Sequence, residues 1–448
     1  MRVFFCLLSA LALCQAAYDR KAVLRNSLLL YVAQRSGSLP LDRKVTWRKD
    51  SALNDRGQNG LDLTGGYMDA GDFVKLGFPG AHTATVLAWG GRDATAGFNS
   101  AGALDVGRKA VKYATDYLLK AHTAATELYG QVGEGDLDHY YWGRPEDMTM
   151  WRPAFKIDVS YPGSDLAGET AAALAAASIV FKALDPSYSN DLLTHAKQLF
   201  DFANNYRGKY SDSITDAKSY YTSADYRDEL VWAAAWLYRA TNDSSYLNTA
   251  ESLFKEFGLQ HWNGGISWDA KVSGVQLLLA KLTNKQEYKA SIKSYVNYLI
   301  KTQQKTPKGL LFIDDWGSLR HASNAAFVML QAADLGLSAV SYRQFAKRQI
   351  DYALGDGGRS LVVGFGYNPP VHPHHASSSC PDAPAACDWS TFSSPVPNFH
   401  VLTGALVGGP DENDYMLDIR SDYVQNEVAC DYNAGFQSAV PALVALGV

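Results

Sequence analysis

"DLAGETAAALAAASIVFKAL", residues 165–184, decides the fold class. Alanine is the strongest helix former and fills the run, while no alternation of apolar and polar residues supports a strand. Asp165 reads as the opening cap, and Asp185-Pro186 as the stop. Working outward, Ala-rich amphipathic patterns recur near 20–35, 80–93, 101–122, 188–206, 227–241, 243–257, 269–282, 284–304, 321–334, 339–354 and 427–447. Asp243 and Ser341 read as further caps, and Gly258 and Gly355 as stops. Twelve helices without a regular repeat suggest six helical hairpins closing into an all-α, (α/α)6 barrel rather than a solenoid. "SLVVGFGY" at 360–367 is the best strand pattern. Loops at 37–79, 123–164, 207–226 and 355–426 are long for a compact domain and carry half of the histidines and many tryptophans, which predicts a loop-built aromatic cleft.

The N-terminus sets the compartment. Arg2, the apolar run "VFFCLLSALAL" and then "CQAAYDR" form a signal peptide over residues 1–16, with cleavage expected after Ala16. A membrane anchor needs roughly twenty apolar residues, so the chain is expected to be secreted, with residues 17–448 as one catalytic domain and no membrane partner. A net charge of −5 with scattered Lys and Arg argues against nucleic acid. Aromatic residues make up 12% of the chain, ten of them Trp, which suits a groove that stacks flat ligands. Cys6 and Cys14 leave with the signal peptide, so Cys380, Cys387 and Cys430 remain. Cys380 and Cys387 close a short Pro-rich loop and are the likelier disulfide pair. The rival is a zinc site with His372, His374 and His375. Asn242-Asp243-Ser244 is a glycosylation sequon.

"GGYMDAGDFVK" at 65–75 sets Asp69 and Asp72 three apart between glycines. Two like charges so close repel, which a simple turn does not explain. A calcium loop would need a third oxygen donor there. Together the two carboxylates suit holding one water, one accepting its proton while the other orients it. An acid must then stand opposite. "LDIRSDYVQNEVACDYNAG" supplies Asp418, Asp422, Glu427 and Asp431, of which Glu427 among Tyr423, Val428 and Ala429 suits a partly buried carboxyl with raised pKa. A first-turn Glu favoured by the helix dipole is the competing reading.

These residues resemble glycoside hydrolase family nine, the cellulase family with inverting endoglucanases. "TWRKDSALND" with "GLDLTGGYMDAGDFVKLGFP" looks like its N-terminal block, "VGFGYNPPVHPHH" at 363–375 its histidine signature, and "DIRSDYVQNEVACDYNAG" at 418–435 its acid signature. The resemblance covers the mature chain and looks most like the animal, termite-type secreted members. It implies the barrel topology and a secreted, monomeric endo-β-1,4-glucanase acting on cellulose or soluble β-1,4-glucan. By the same resemblance Asp72 is the general base, Asp69 helps hold the water, and Glu427 protonates the leaving oxygen, with acid and base roughly 6.5–9.5 Å apart. His374 matches the signature histidine that contacts the sugar, preceded by His372, and Asp418 matches an orienting aspartate. His139, Trp316, Arg320 and Tyr432 fall in blocks that line the glucan cleft. A structural calcium is implied at Ser223, Asp225, Asp228, Glu229 and Asp269, and no catalytic cofactor.

Four positions depart from the pattern. Ala376 stands where the histidine signature ends in Arg, and Met68, Phe73 and Met416 replace residues of other character. None of the four is a catalytic carboxylate, so subsite affinity rather than chemistry is expected to differ. This leaves a mixed-linkage glucanase or a processive cellulase of the same family as the alternative. A non-catalytic glucan-binding protein is the remote one, since it would be expected to have lost Asp72 or Glu427.

Overall fold

A computed structural model describes residues 18–41 and 43–448. The signal peptide expected at 1–16, with Cys6 and Cys14, lies outside the described residues. Twelve helices build the frame. They are α1 (Arg20–Ser27), α2 (Gly77–Asp93), α3 (Leu104–Ala121), α4 (Ser164–Phe181), α5 (Pro186–Asn205) and α6 (Arg227–Thr241), followed by α7 (Ser244–Glu256), α8 (Val272–Thr283), α9 (Gln286–Lys301), α10 (Ser318–Asp334), α11 (Ala339–Asp351) and α12 (Cys430–Leu446).

Alternate helices do different jobs. The even-numbered ones contact one another in a closed ring, α2 on α4, α4 on α6, then α8, α10, α12 and back to α2. The odd-numbered ones lie outside: α3 against α2 and α4, α5 against α4 and α6, α7 against α6, α9 against α8 and α10, α11 against α10 and α12, and α1 against α12. This is the (α/α)6 barrel. The sequence explains the partition. In α4 every residue from Ser164 to Ser178 is buried, because alanine side chains let neighbouring helices close in on all sides. Outer α9 buries Tyr288, Ile292, Tyr295, Val296 and Leu299, one stripe at helical spacing. Among the described residues α4 is the one helix of at least 18 residues apolar enough to cross a membrane, and it is buried as barrel wall.

Two helix starts differ from expectation. Asp165 lies inside the first turn, after Gly163 at the cap position, and its carboxylate instead accepts from the backbone N–H groups of Leu166 and Tyr210. Ser341 lies inside α11, which opens after Ser338. Asp243 does cap α7, accepting from Ser245 N. Residues 360–367 form no strand. Gly364 and Gly366 have φ of 67° and 75°, which breaks an extended run, and Val362 makes a single bridge to Leu406. The sheet lies elsewhere: β1 (Lys75–Leu76), β2 (His122–Ala124) and β4 (Ala154–Ile157) each pair antiparallel with β3 (Glu127–Val132). It covers the segment that leads into α2.

The barrel has two unlike ends. At one, Asp93, Arg239, Lys281 and Gln331, from the last turns of α2, α6, α8 and α10, meet in one polar cluster. Beneath it Trp89 packs against Trp232, Trp236 and Phe327. At the other end the inner helices begin, and the long loops precede them.

Candidate active site

The segment before α2 and the segment before α12 are joined directly. Cys430 N donates to the backbone oxygen of Asp69, and His374 pairs with Glu427 in a parallel bridge, with His374 N donating to Asn426 O. Gly71 makes the crossing possible. A Cβ at position 71 would stand 2.2 Å from the His374 carbonyl oxygen, so only glycine lets the strands meet this closely.

Asp69 is buried and Asp72 half-buried. The Tyr221 hydroxyl donates to Asp69 Oδ2 at 2.6 Å, while Asp69 Oδ1 finds no protein partner. Burial, and then the charges of Asp431 and Asp72, push the Asp69 carboxyl well above the usual range, against the Tyr221 bond. Asp72 Oδ2 lies 3.2 Å from His139 Nε2, and its Oδ1 is unpaired. That bond raises the His139 pKa and favours the imidazolium. Burial and then the charges of Asp72 and Asp69 push the Glu427 carboxyl well above the usual carboxylate range, which favours its protonated form. The Trp316 side chain hydrogen-bonds it. Two acids paired against a third protonated one can activate a water and deliver a proton.

His374 is half-buried between Trp142, Phe392 and Tyr423, and its Nδ1 donates to Arg420 O at 2.7 Å, which leaves Nε2 as the free nitrogen of a neutral ring. Trp142 packs on Trp389 and Phe392, and Trp316 stands beside Tyr423 at 5.8 Å. Trp316, Trp389 and Tyr423 remain about half exposed, with faces open to a flat apolar ligand.

Asp418 accepts from the backbone N–H groups of Val371 and His372 and so braces the chain leading to His374, in keeping with an orienting aspartate. Three expected contacts take another form. His372 Nε2 is tied to Pro395 O at 2.9 Å. Arg320 is buried, donating to Asp431 Oδ2 at 3.1 Å and to Trp316 O at 2.8 Å, so it orients Trp316 instead of reaching into the cleft. Tyr432 is 1% exposed, with the Arg320 guanidinium 5.0 Å over its ring, and offers no face to a sugar. Its burial follows from its place in the first turn of inner helix α12. Ala376 is buried against Met68, Phe73 and Trp142, in a pocket where an arginine would have to be desolvated.

The loop cysteines are bridged, Cys380 to Cys387. The histidines of the rival zinc site are committed to Pro395 O, Arg420 O and Gln34 Oε1. Cys430 is a buried free thiol against Met68 O.

The residues expected to hold calcium sit at the start of α6 and just before α8. Asp225 does not suit the role, since Arg227 engages both of its oxygens. Asp228 Oδ1 and both oxygens of Glu229 are buried without a well-aligned N–H donor, with Lys271 Nζ 3.3 Å from Glu229. Asp269 accepts from Ala224 N, and the Ser223 hydroxyl donates to Asp225 O. An all-oxygen set with unpaired carboxylate oxygens fits a hard cation chemically, although among the described residues no three acidic, imidazole or thiol groups converge at ligating distance.

Local sequence gave no sign of Tyr221 or of the buried role of Asp431. Each acts through a contact with a residue far along the chain.

The sequence pattern of glycosyl hydrolase family 9 matches residues 21–440. Endoglucanase B of Cellulomonas fimi is 48% identical over 446 residues, covering 95% of this chain and 42% of that protein. Endoglucanase A of Bacillus pumilus is 45% identical over 449 residues, covering 96% of this chain and 67% of that one. This chain thus spans less than half the length of the first and about two thirds of the second. An endoglucanase structure from the termite Nasutitermes takasagoensis at pH 2.5 superposes with a TM-score of 0.96 and 77% identity, over 96% of this chain and 100% of that one. Endoglucanase CelQ from Clostridium thermocellum, complexed with cellotetraose, superposes with a TM-score of 0.86 and 36% identity, over 96% and 71%.

Proposed function

Because this chain belongs to glycosyl hydrolase family 9, we propose that it is an endo-β-1,4-glucanase that cleaves internal bonds of cellulose or soluble β-1,4-glucan with inversion at the anomeric carbon. The observation that carries the reading is the unpaired buried oxygen on each of Asp69 and Asp72, together with a buried Glu427 near enough for their charges to push its carboxyl up. Water held by Asp69 and Asp72 attacks C1 and gives a proton to Asp72. The C1–O4 bond breaks as Glu427 gives its proton to the leaving oxygen. One water is added, and solvent exchange returns each carboxyl to its starting state. Trp316, Trp389 and Tyr423 would stack on the apolar faces of glucose units, with His374 Nε2 and His139 directed at hydroxyls. The structures of relatives with cello-oligosaccharides support this substrate class. Proton NMR during hydrolysis of cellotetraose tests the stereochemistry: the α-anomer accumulating first supports inversion, and the β-anomer first refutes it.

The reading also places the enzyme outside the cell as a monomer, cleaved after Ala16, which N-terminal sequencing of the secreted protein checks. Calcium would be held by no more than two of the expected acids, Asp228 and Asp269, with the Ser223 hydroxyl, because Lys271 already faces Glu229, and it would brace the loop that carries Tyr221. A chelator should then lower the melting temperature by several degrees, restored by calcium. An unchanged melting temperature refutes the ion.

A further inference from the structure

Asp138, in the loop between β3 and β4, is 2% exposed and absent from every role described above. Its Oδ1 accepts the backbone N–H of Phe73, the residue after Asp72, at 3.0 Å. Its Oδ2 lies 3.6 Å from Arg152 Nη1. Arg152 in turn grips Asp55 with Nε at 2.8 Å and Nη2 at 3.3 Å. Asp55 Oδ2 pairs with Lys75 Nζ at 2.8 Å, and Lys75 also donates to the carbonyls of Leu63 and Gly65. Every side chain in this series is at least nine-tenths buried. The charges alternate, two acids and two bases, and the series is electrically balanced. Gly133 leaves the room it needs, since a Cβ there would stand 3.3 Å from Arg152 Nη1.

The geometry encloses Asp72. Asp138 holds the backbone immediately after it, Lys75 anchors the chain three residues on, and His139, the neighbour of Asp138, holds the Asp72 carboxylate itself. A loop that begins at Gly65 and Gly66, both at positive φ, has little stiffness of its own. A water-activating base must nevertheless stay within about 0.5 Å of its working position. We infer that Asp138 is a positioning residue for Asp72, with Arg152, Asp55 and Lys75 as the buried chain of alternating charge that holds it there. The inference rests on Asp72 being the base.

The test compares Asp138→Ala, Asp138→Asn and Asp72→Ala on cellotetraose, with kcat and KM measured separately and the melting temperature as a control for folding. Displacement of the base predicts that Asp138→Ala loses about 100-fold in kcat while KM stays within threefold. Asp138→Asn, whose amide oxygen still accepts from Phe73 N–H, should recover at least tenfold of that loss. An alanine variant with kcat within threefold of wild type overturns the inference, as does an equal loss in kcat and substrate affinity that asparagine does not restore. If the alanine variant fails to fold, Arg152→Lys takes its place, because lysine keeps the charge but loses the fork that spans Asp55 and Asp138. A fall in kcat of tenfold or more at unchanged KM then supports the chain, and unchanged kcat overturns it. Asp72→Ala separates the two levels. If it stays active the base assignment fails, whereas if it is inactive and Asp138→Ala is normal only the positioning role fails.

Discussion

The Tyr221 hydroxyl donates to Asp69 Oδ2 at 2.6 Å and leaves Asp69 Oδ1 as a buried oxygen with no protein donor. A carboxylate fixed on one oxygen and open on the other is suited to orienting a water. The same bond opposes the burial that pushes the Asp69 pKa up.

Tyr221→Phe removes that bond without changing the ring. The expected loss in kcat on cellotetraose is on the order of 10²-fold, with KM within threefold. Because the bond favours ionised Asp69, the acid limb of kcat against pH should move to higher pH.

Gly71→Ala places a Cβ 2.2 Å from His374 O and 3.0 Å from His374 C. Both are backbone atoms, so the strand bearing His374 and its bridge to Glu427 must shift. Steady-state kinetics should show a loss of roughly 100-fold in kcat. Activity close to wild type would mean that the close approach is dispensable.

Glu427 works only while protonated, so activity should fall as pH rises through its raised pKa. Stability has the same sign for groups of this kind. Burial pushes Asp165 up to about 7 and Asp269 up to about 6, so stability that both supply below the ordinary aspartate range is lost as pH rises through those values. His122 behaves oppositely. Burial and then His195 push it down to about 4, so its stability is present above the usual histidine pKa and is lost as pH falls toward 4. Calorimetry with a chelator present should find the highest melting temperature between about 4 and 7, and a melting temperature still rising past neutral pH would contradict this balance.

Asp93 closes the end of the barrel away from the cleft, paired with Arg239 and Lys281 and accepting from the Trp89 indole at 2.9 Å. Asp93→Ala leaves two cations facing each other and should cost about 3 kcal/mol in denaturant unfolding. Turnover per folded molecule should not change, since the cluster lies at the far end from Asp72.

The helical class could be read from sequence because periodic segments near 165–183, 284–304 and elsewhere stand out, whereas the closed barrel rested on the family resemblance, since the pattern alone does not tell α4, buried on every side, from α9, buried along one stripe. Caps were harder. Asp165 and Ser341 carry suitable side chains, but tertiary partners and the true starts at Gly163 and Ser338 decide which residue caps. At the site, the spacing of Asp69 and Asp72 was visible because like charges three apart need a reason. Burial was not. Tyr432 and Arg320 have side chains suited to a cleft, yet the register of α12 and α10 turns them inward. Tyr221 and Asp138 reach their partners across 152 and 65 residues of chain, beyond any local pattern.

The most direct measurement is hydrolysis of carboxymethyl cellulose by wild type, Asp72→Ala and Glu427→Ala, followed by viscosity and reducing ends, with circular dichroism to confirm folding. The account predicts rapid thinning by wild type and a loss of at least about 10³-fold in each folded variant. Substantial activity in either variant, or a wild-type protein that binds glucan without cleaving it, would contradict the opposition of Asp72 and Glu427 as base and acid.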